Sequence, residues 1–214
     1  MSLDLTAAKA LIFRIVHRDN IPWILDNGLH CRNSAVMDPK FVPIGNADLI
    51  EKRVHRVVPC PTNGTLSDYV PFYFTPHSIM LLNIKTGWNG IRQRENAEIA
   101  IVVSTLHRLQ ELGQPFAFTD RHAYLTTASF YTDLARLDQI DWKILRNRDF
   151  KRTADDPGKM ERYQAEALAY KHLPIGTIIG VGCFNDEVAG TLKAQLAKRK
   201  LDTKVVVRPS WYFS

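Results

Sequence analysis

Cysteine is scarce in this chain of 214 residues: Cys31, Cys60 and Cys183 are the only three. They are odd in number, far apart and never arranged as CxxC, which excludes a disulfide-stapled scaffold and argues against a zinc site. No metal is expected, and buried thiols in a reduced, cytoplasmic protein are the simplest account. No apolar run approaches the roughly 20 residues of a membrane span, and the opening MSLDLTAAKALIFRIVHRDN lacks the basic, apolar, small-residue order of a secretory signal. Repeats and low-complexity tracts are missing as well. So are the glycine-rich dinucleotide fingerprint, the Walker A loop, HExxH and GxSxG, which removes the commonest nucleotide, zinc-protease and hydrolase readings.

What is present is an ordinary globular composition, 45% hydrophobic and 23% charged, with a formal net charge of +6. The positive excess makes a polyanionic partner plausible, because clustered Lys and Arg attract phosphates. The length suits one well-buried domain.

Alternating apolar and β-branched residues in ALIFRIVHR (10–18) predict a strand. In DNIPWILDNG, Asp19 or Asn20 can cap a short helix that Asn27-Gly28 ends. Residues 31–68 read as irregular, with a short helix in NADLIEKRVHR. DYVPFYFTPHSIMLLNI (68–84) reads as an aromatic strand leading to a turn or helix. EIAIVVSTLHRLQELG (98–113) is a strand followed by a helix starting at Ser104 or Thr105. PFAFTDRHAYL (115–125) is a short strand and an exposed polar turn, ASFYTDLARLDQIDW (128–142) looks helical, and 146–163 is a basic loop. A strand at 177–184, a helix at 186–200 and a terminal strand at 204–213 complete a mixed α/β pattern in one domain over residues 1–214.

Several groups could carry chemistry. FTDRH places Asp120, Arg121 and His122 in a turn after an apolar strand, as cleft residues or as a simple capped turn. EKRVHR offers Lys52, Arg53, His55 and Arg56, as a phosphate clamp or a solvated helix face. DYVPFYF could stack a ring on an aromatic side chain or belong to the core. In ERYQAEALAYKHLP (161–174), good helix formers place Met160, Tyr163, Ala167 and Tyr170 at helical steps, so composition reads Glu166 as a solvated carboxylate on a helix.

Taken together, IVHRDNIPWILDNGL, DYVPFYFTPHSIML, FAFTDRHAYL, ERYQAEALAY and the terminal WYF resemble, in order and over nearly the whole chain, the DarT toxins, which are DNA ADP-ribosyltransferases. The resemblance implies an α+β fold of the ADP-ribosyltransferase type, a split and strongly curved β-core flanked by helices. It implies transfer of ADP-ribose from NAD+ to a base, thymidine, in single-stranded DNA, with nicotinamide released. A macrodomain antitoxin of the DarG type is the implied partner. Glu166 of QAE then occupies the catalytic glutamate position at the start of a strand, against its helical composition.

Arg53 would stabilise and relay beside that carboxylate, and His122 would orient the base or Glu166. Arg14, where some relatives carry histidine, would contact the pyrophosphate or ribose. Tyr73 would pack on nicotinamide with Met80 in the pocket wall, and His17, Asp19 and Asn20 would line the NAD+ entrance. Cations of the loop before the glutamate, Arg146, Arg148, Lys151, Arg152 and Arg162, would hold DNA phosphates. The competing readings are the same fold with guanosine, RNA or a protein side chain as acceptor, a non-catalytic nucleic-acid-binding module, and an NAD glycohydrolase.

Overall fold

The computed structural model describes residues 3–214. Its centre is a strand block made of β1 (Leu11–His17), β3 (Tyr69–Tyr73), β4 (Ile99–Thr105), β5 (Phe116–Thr119), β6 (Phe130–Tyr131), β7 (Glu166–Tyr170), β9 (Gly180–Cys183) and β10 (Lys204–Val207). A two-stranded ladder joins β2 (Leu29–His30) to β8 (His172–Leu173). The large sheet runs β10-β9-β4-β1-β3-β7-β5-β6, and only the β10–β9 pair is parallel. Flanking helices are α1 (Ile21–Asn27), α2 (Ala47–Arg53), α3 (Ile79–Thr86), α4 (Leu106–Glu111), α5 (Trp142–Asn147), α6 (Lys159–Tyr163) and α7 (Asp186–Lys198).

The expected split of the β-core lies at one seam. β1 pairs with β4 along its whole length, from Leu11 opposite Thr105 to His17 opposite Ile99. With β3 it shares a single register pair, Phe13 opposite Tyr73. Pro71 in the middle of β3 belongs to this opening. The N and C=O of one antiparallel residue face the same neighbour, and the Pro71 carbonyl accepts 2.8 Å from Arg14 Nη1 on the β1 side. The donor that proline lacks would have faced a ladder that has already parted, and a guanidinium fills the gap.

Most elements follow the sequence pattern. Thr105 caps α4 through its side chain, Asn46 caps α2, and Gly28 ends α1 at φ 78. Several readings need correction. The terminal strand expected over 204–213 ends at Val207, and Pro209–Trp211 form a 3-10 turn. Residues 128–142 form the short strand β6 and a 3-10 turn (Leu134–Gln139), not a long helix, because Asp133 caps the turn and the chain must return Phe130–Tyr131 to the edge of β5. The basic stretch 146–163 carries the end of α5 and all of α6 around a shorter loop. The helical composition of 160–170 yields a helix only up to Tyr163. From Glu166 the chain is a central strand between β3 and β5, and sheet pairing on both edges overrides the weak helix propensity of EALAY.

The C-terminus closes the main core. Trp211 packs edge-on against Phe13 and over Gly182, Tyr212 Oη donates to the Ile99 carbonyl at 2.9 Å, and Phe213 lies on His77. Among the described residues, no helix is long and apolar enough to cross a membrane, and no group of three His, Cys, Asp or Glu residues is placed to hold a metal ion. The three cysteines are free and buried.

Candidate active site

Glu166 opens β7 opposite Tyr73 of β3, beside the parted seam, and is 1% exposed. A carboxylate so buried needs compensation at both oxygens, and it has it. Arg53, the last residue of α2, donates from Nη1 to Oε2 at 2.9 Å, and the backbone N–H of Ala123 donates to Oε1 at 3.0 Å. The Glu166 backbone is fixed too. Its N–H donates to Thr119 Oγ1 at 3.1 Å, while that hydroxyl donates to the Arg121 carbonyl at 2.6 Å. The helix end, the strand end and the turn thus converge on one side chain.

The FTDRH turn is folded inward rather than exposed. Asp120 accepts from Arg121 and from the Ser129 N–H, and the His122 N–H donates to the Glu161 carbonyl. Arg56 clamps the far side, with Nη2 donating to the Leu125 carbonyl at 2.8 Å and Nε to that of Ala123 at 3.5 Å. Thr119, Ala123 and Arg56 have no distinct signal in the sequence. A hydroxyl, a backbone amide and one arginine of a charge run acquire roles only when the chain brings distant segments together.

His122 Nδ1 lies 3.7 Å from Glu166 Oε1, too long for a hydrogen bond. It accepts from the Tyr124 N–H at 3.2 Å instead, which places the imidazole proton on Nε2. Burial pushes its pKa down against the upward pull of Glu166, so the ring is neutral near pH 7. It therefore does not orient Glu166 by a direct bond.

Arg14 is held well below the usual arginine value, at about 10, by burial and then by the charge of Arg53. Tyr73 is pushed upward by burial and then by Glu166, so its phenol stays protonated and donates to Met80 Sδ at 3.7 Å. Two guanidinium nitrogens here, Arg14 Nε and Arg53 Nη2, are buried without a partner. Arg53 pairs with the carboxylate, Arg14 lies within electrostatic reach of Arg53, and their free donors suit an anionic ligand rich in hydroxyl and phosphate oxygens. The cluster reaches solvent through Arg53 and His122, whose side chains are 12% and 14% exposed.

The proposed entrance residues separate into different environments. His17 is buried, its Nδ1 accepting from the Asp19 N–H, while Asp19 is exposed. Asn20 is committed to the scaffold, with Oδ1 accepting from and Nδ2 donating to the backbone of Val42, so it pins the 31–46 loop to the end of β1. Most of the proposed DNA cations are engaged inside the protein. Arg146 donates to the Leu5 carbonyl, Arg148 to that of Ser210, Arg152 pairs with Glu161, and Arg162 pairs with Asp156 and Asp141. Lys151 is exposed, with no ion pair among the described residues.

The profile of a family described as "ssDNA thymidine ADP-ribosyltransferase, DarT" matches residues 13–213. A "DNA ADP-ribosyl transferase" of Escherichia coli O127:H6 (strain E2348/69 / EPEC) is 55% identical over 213 residues, covering 100% of this chain and 98% of the relative. The solved structure of Thermus sp. 2.9 DarT in complex with ADP-ribosylated ssDNA superimposes with a TM-score of 0.86 at 32% identity, covering 100% of both chains. The same Thermus protein in complex with NAD+ gives 0.79 at 32% identity, over 96% of this chain and 98% of the other. The chain belongs to the single-stranded DNA thymidine ADP-ribosyltransferase family, DarT.

Proposed function

We propose that the Glu166 cluster is the centre at which this NAD-dependent DNA ADP-ribosyltransferase moves ADP-ribose onto thymidine in single-stranded DNA. One observation carries the reading: a fully buried carboxylate held by Arg53 and by the Ala123 N–H, next to two unpartnered guanidinium donors. Bound NAD+ supplies the ADP-ribosyl group, with nicotinamide as the group that leaves.

Each part of the chain then has a task. Arg14 Nε and Arg53 Nη2 hold oxygens of the dinucleotide, and Tyr73 with Met80 forms the wall against the nicotinamide. Each Glu166 oxygen keeps a lone pair beyond its present bond. The carboxylate can therefore accept from a ribose hydroxyl and stabilise the positive charge that develops on the sugar, in a site whose dipoles are already aligned. Arg53 cannot act as a base, so it favours loss of the proton from the thymine ring nitrogen by its charge, and Glu166 is the acceptor within reach. His122, neutral and protonated at Nε2, donates to the base. An unpaired strand is needed because the ring nitrogen of a paired thymine is blocked.

Lys151 is the basic-loop residue free to meet a phosphate, whereas Arg146, Arg148, Arg152 and Arg162 must first exchange internal partners. His17 and Asp19 flank the entrance that Asn20 braces. The protein acts as a cytoplasmic toxin, restrained by a macrodomain antitoxin that removes the modification.

Label transfer from NAD+ to a panel of single-stranded oligonucleotides, each lacking one base, tests the reading. Label is expected on every oligonucleotide except the one without thymidine. Loss of labelling only when guanosine is missing replaces the acceptor, and nicotinamide release with no labelled DNA turns the protein into a glycohydrolase.

A further inference from the structure

Trp88 is 68% exposed, whereas Trp23, Trp142 and Trp211 pack against the core. The backbone is built to hold it out. Gly87, Asn89 and Gly90 all adopt positive φ (70, 55 and 75), the left-handed region that glycine and asparagine tolerate best. Beside the indole is a cavity of about 280 Å³, lined also by Asp48, Lys52, Asn83, Asn89 and Tyr124. Among the described residues, the side chains of Lys52, Asn83, Asn89 and Tyr124 make no hydrogen bond within the protein, although Asn83 and Tyr124 are partly buried.

The cavity shares two walls with the Glu166 site. Lys52 precedes Arg53 on α2, and with 3.6 residues per turn adjacent side chains diverge, one to the cavity and one to Glu166. Tyr124 follows Ala123, whose N–H holds the carboxylate. We infer that this cavity is a second nucleobase subsite, in which Trp88 stacks a base flanking the modified one and the free amide, phenol and carboxylate groups read that base's edge. Lys52 is placed for its phosphate. The volume falls just below the roughly 300–1,000 Å³ that drug-sized ligands fill, so it suits one ring system rather than a dinucleotide. The inference rests on the DNA-transfer reading above and adds to it a determinant of sequence context.

The test uses Trp88→Ala and Trp88→Phe in the full chain, with single-stranded oligonucleotides carrying one thymidine and varied neighbours. Stacking on an aromatic side chain contributes enough per base that Trp88→Ala should raise the oligonucleotide KM about tenfold or more. Its KM for NAD+ should stay unchanged, and the preference among flanking bases should flatten, with Trp88→Phe in between. Intrinsic fluorescence should be quenched by an oligonucleotide in the wild-type protein and much less in Trp88→Phe. An unchanged oligonucleotide KM and context preference in Trp88→Ala, or a rise confined to the KM for NAD+, overturns the subsite while leaving the transfer reading intact. Trp88-dependent quenching in a protein that labels no DNA overturns the transfer reading while the subsite stands.

Discussion

At the residue scale, the site depends on satisfying one buried charge. Removing either partner of a buried, hydrogen-bonded pair strands the other, at a cost of about 3–5 kcal/mol. Glu166→Gln keeps one acceptor, for Arg53, but turns an NH2 toward the Ala123 N–H and removes the charge that meets the developing sugar cation in the proposed mechanism. Transfer should fall by about 10²–10³-fold, the scale of a lost preorganised electrostatic contact, in a protein that still folds cooperatively but melts at a lower temperature. Labelling at the wild-type rate would remove Glu166 from the chemistry. Arg56 is a positioning residue, because it holds the carbonyls of Ala123 and Leu125. Arg56→Ala should lower kcat by up to about 10²-fold, the scale of a displaced catalytic group, leave NAD+ affinity unchanged, and be partly restored by Arg56→Lys. If affinity falls instead, the clamp serves the cofactor. Local sequence could mark Arg53 and Arg56 only as members of a charge run. Glu166 became legible through family resemblance, because its own neighbours favour a helix.

At the scale of elements, local pattern served well for plainly apolar or plainly capped segments. β1 and β4 are apolar, β-branched runs buried on both faces, and α4 and α7 start at side-chain caps. It failed where tertiary pairing decides, in β7 and in 128–142, since period and propensity carry no information about which edge a segment will meet. β9 and the C-terminal segment pack tightly at Gly182, where a Cβ would sit 2.5 Å from Trp211 Cζ3. That ring is held edge-on by Phe13 at 5.5 Å and cannot swing away freely. Gly182→Ala should therefore destabilise the protein by about 1–3 kcal/mol, lowering Tm by about 2–4 °C per kcal/mol. An unshifted thermal melt would show that the C-terminal segment packs loosely.

On the scale of the whole molecule, acid acts through histidines before carboxylates. His77, stacked on Phe213, is held at about 4 by burial and then by the charge of Arg148. His30 is also lowered by burial and then by His172, and His122 shifts the same way. A lowered histidine binds its proton in the unfolded chain first, so stability is full above the ordinary value of 6.5 and declines as pH falls toward 4. The depressed carboxylates of Glu98 and Asp156 add their loss only below their ordinary values of 4.5 and 3.8. Thermal melts should show Tm falling between pH 6.5 and 4.5, and His77→Phe should shallow that slope. A flat profile in the wild type would mean that these rings are solvated in the folded protein.

The parted seam between β1 and β3 has one more effect. A single guanidinium, that of Arg14, bridges the two strands through Pro71 while keeping its Nε uncommitted. If Arg14 holds the dinucleotide as proposed above, scaffold stiffness and ligand grip are not independently adjustable at this position. A substitution of the guanidinium would then also remove a link between β1 and β3, so a low-activity form of the enzyme is more readily reached by changes elsewhere.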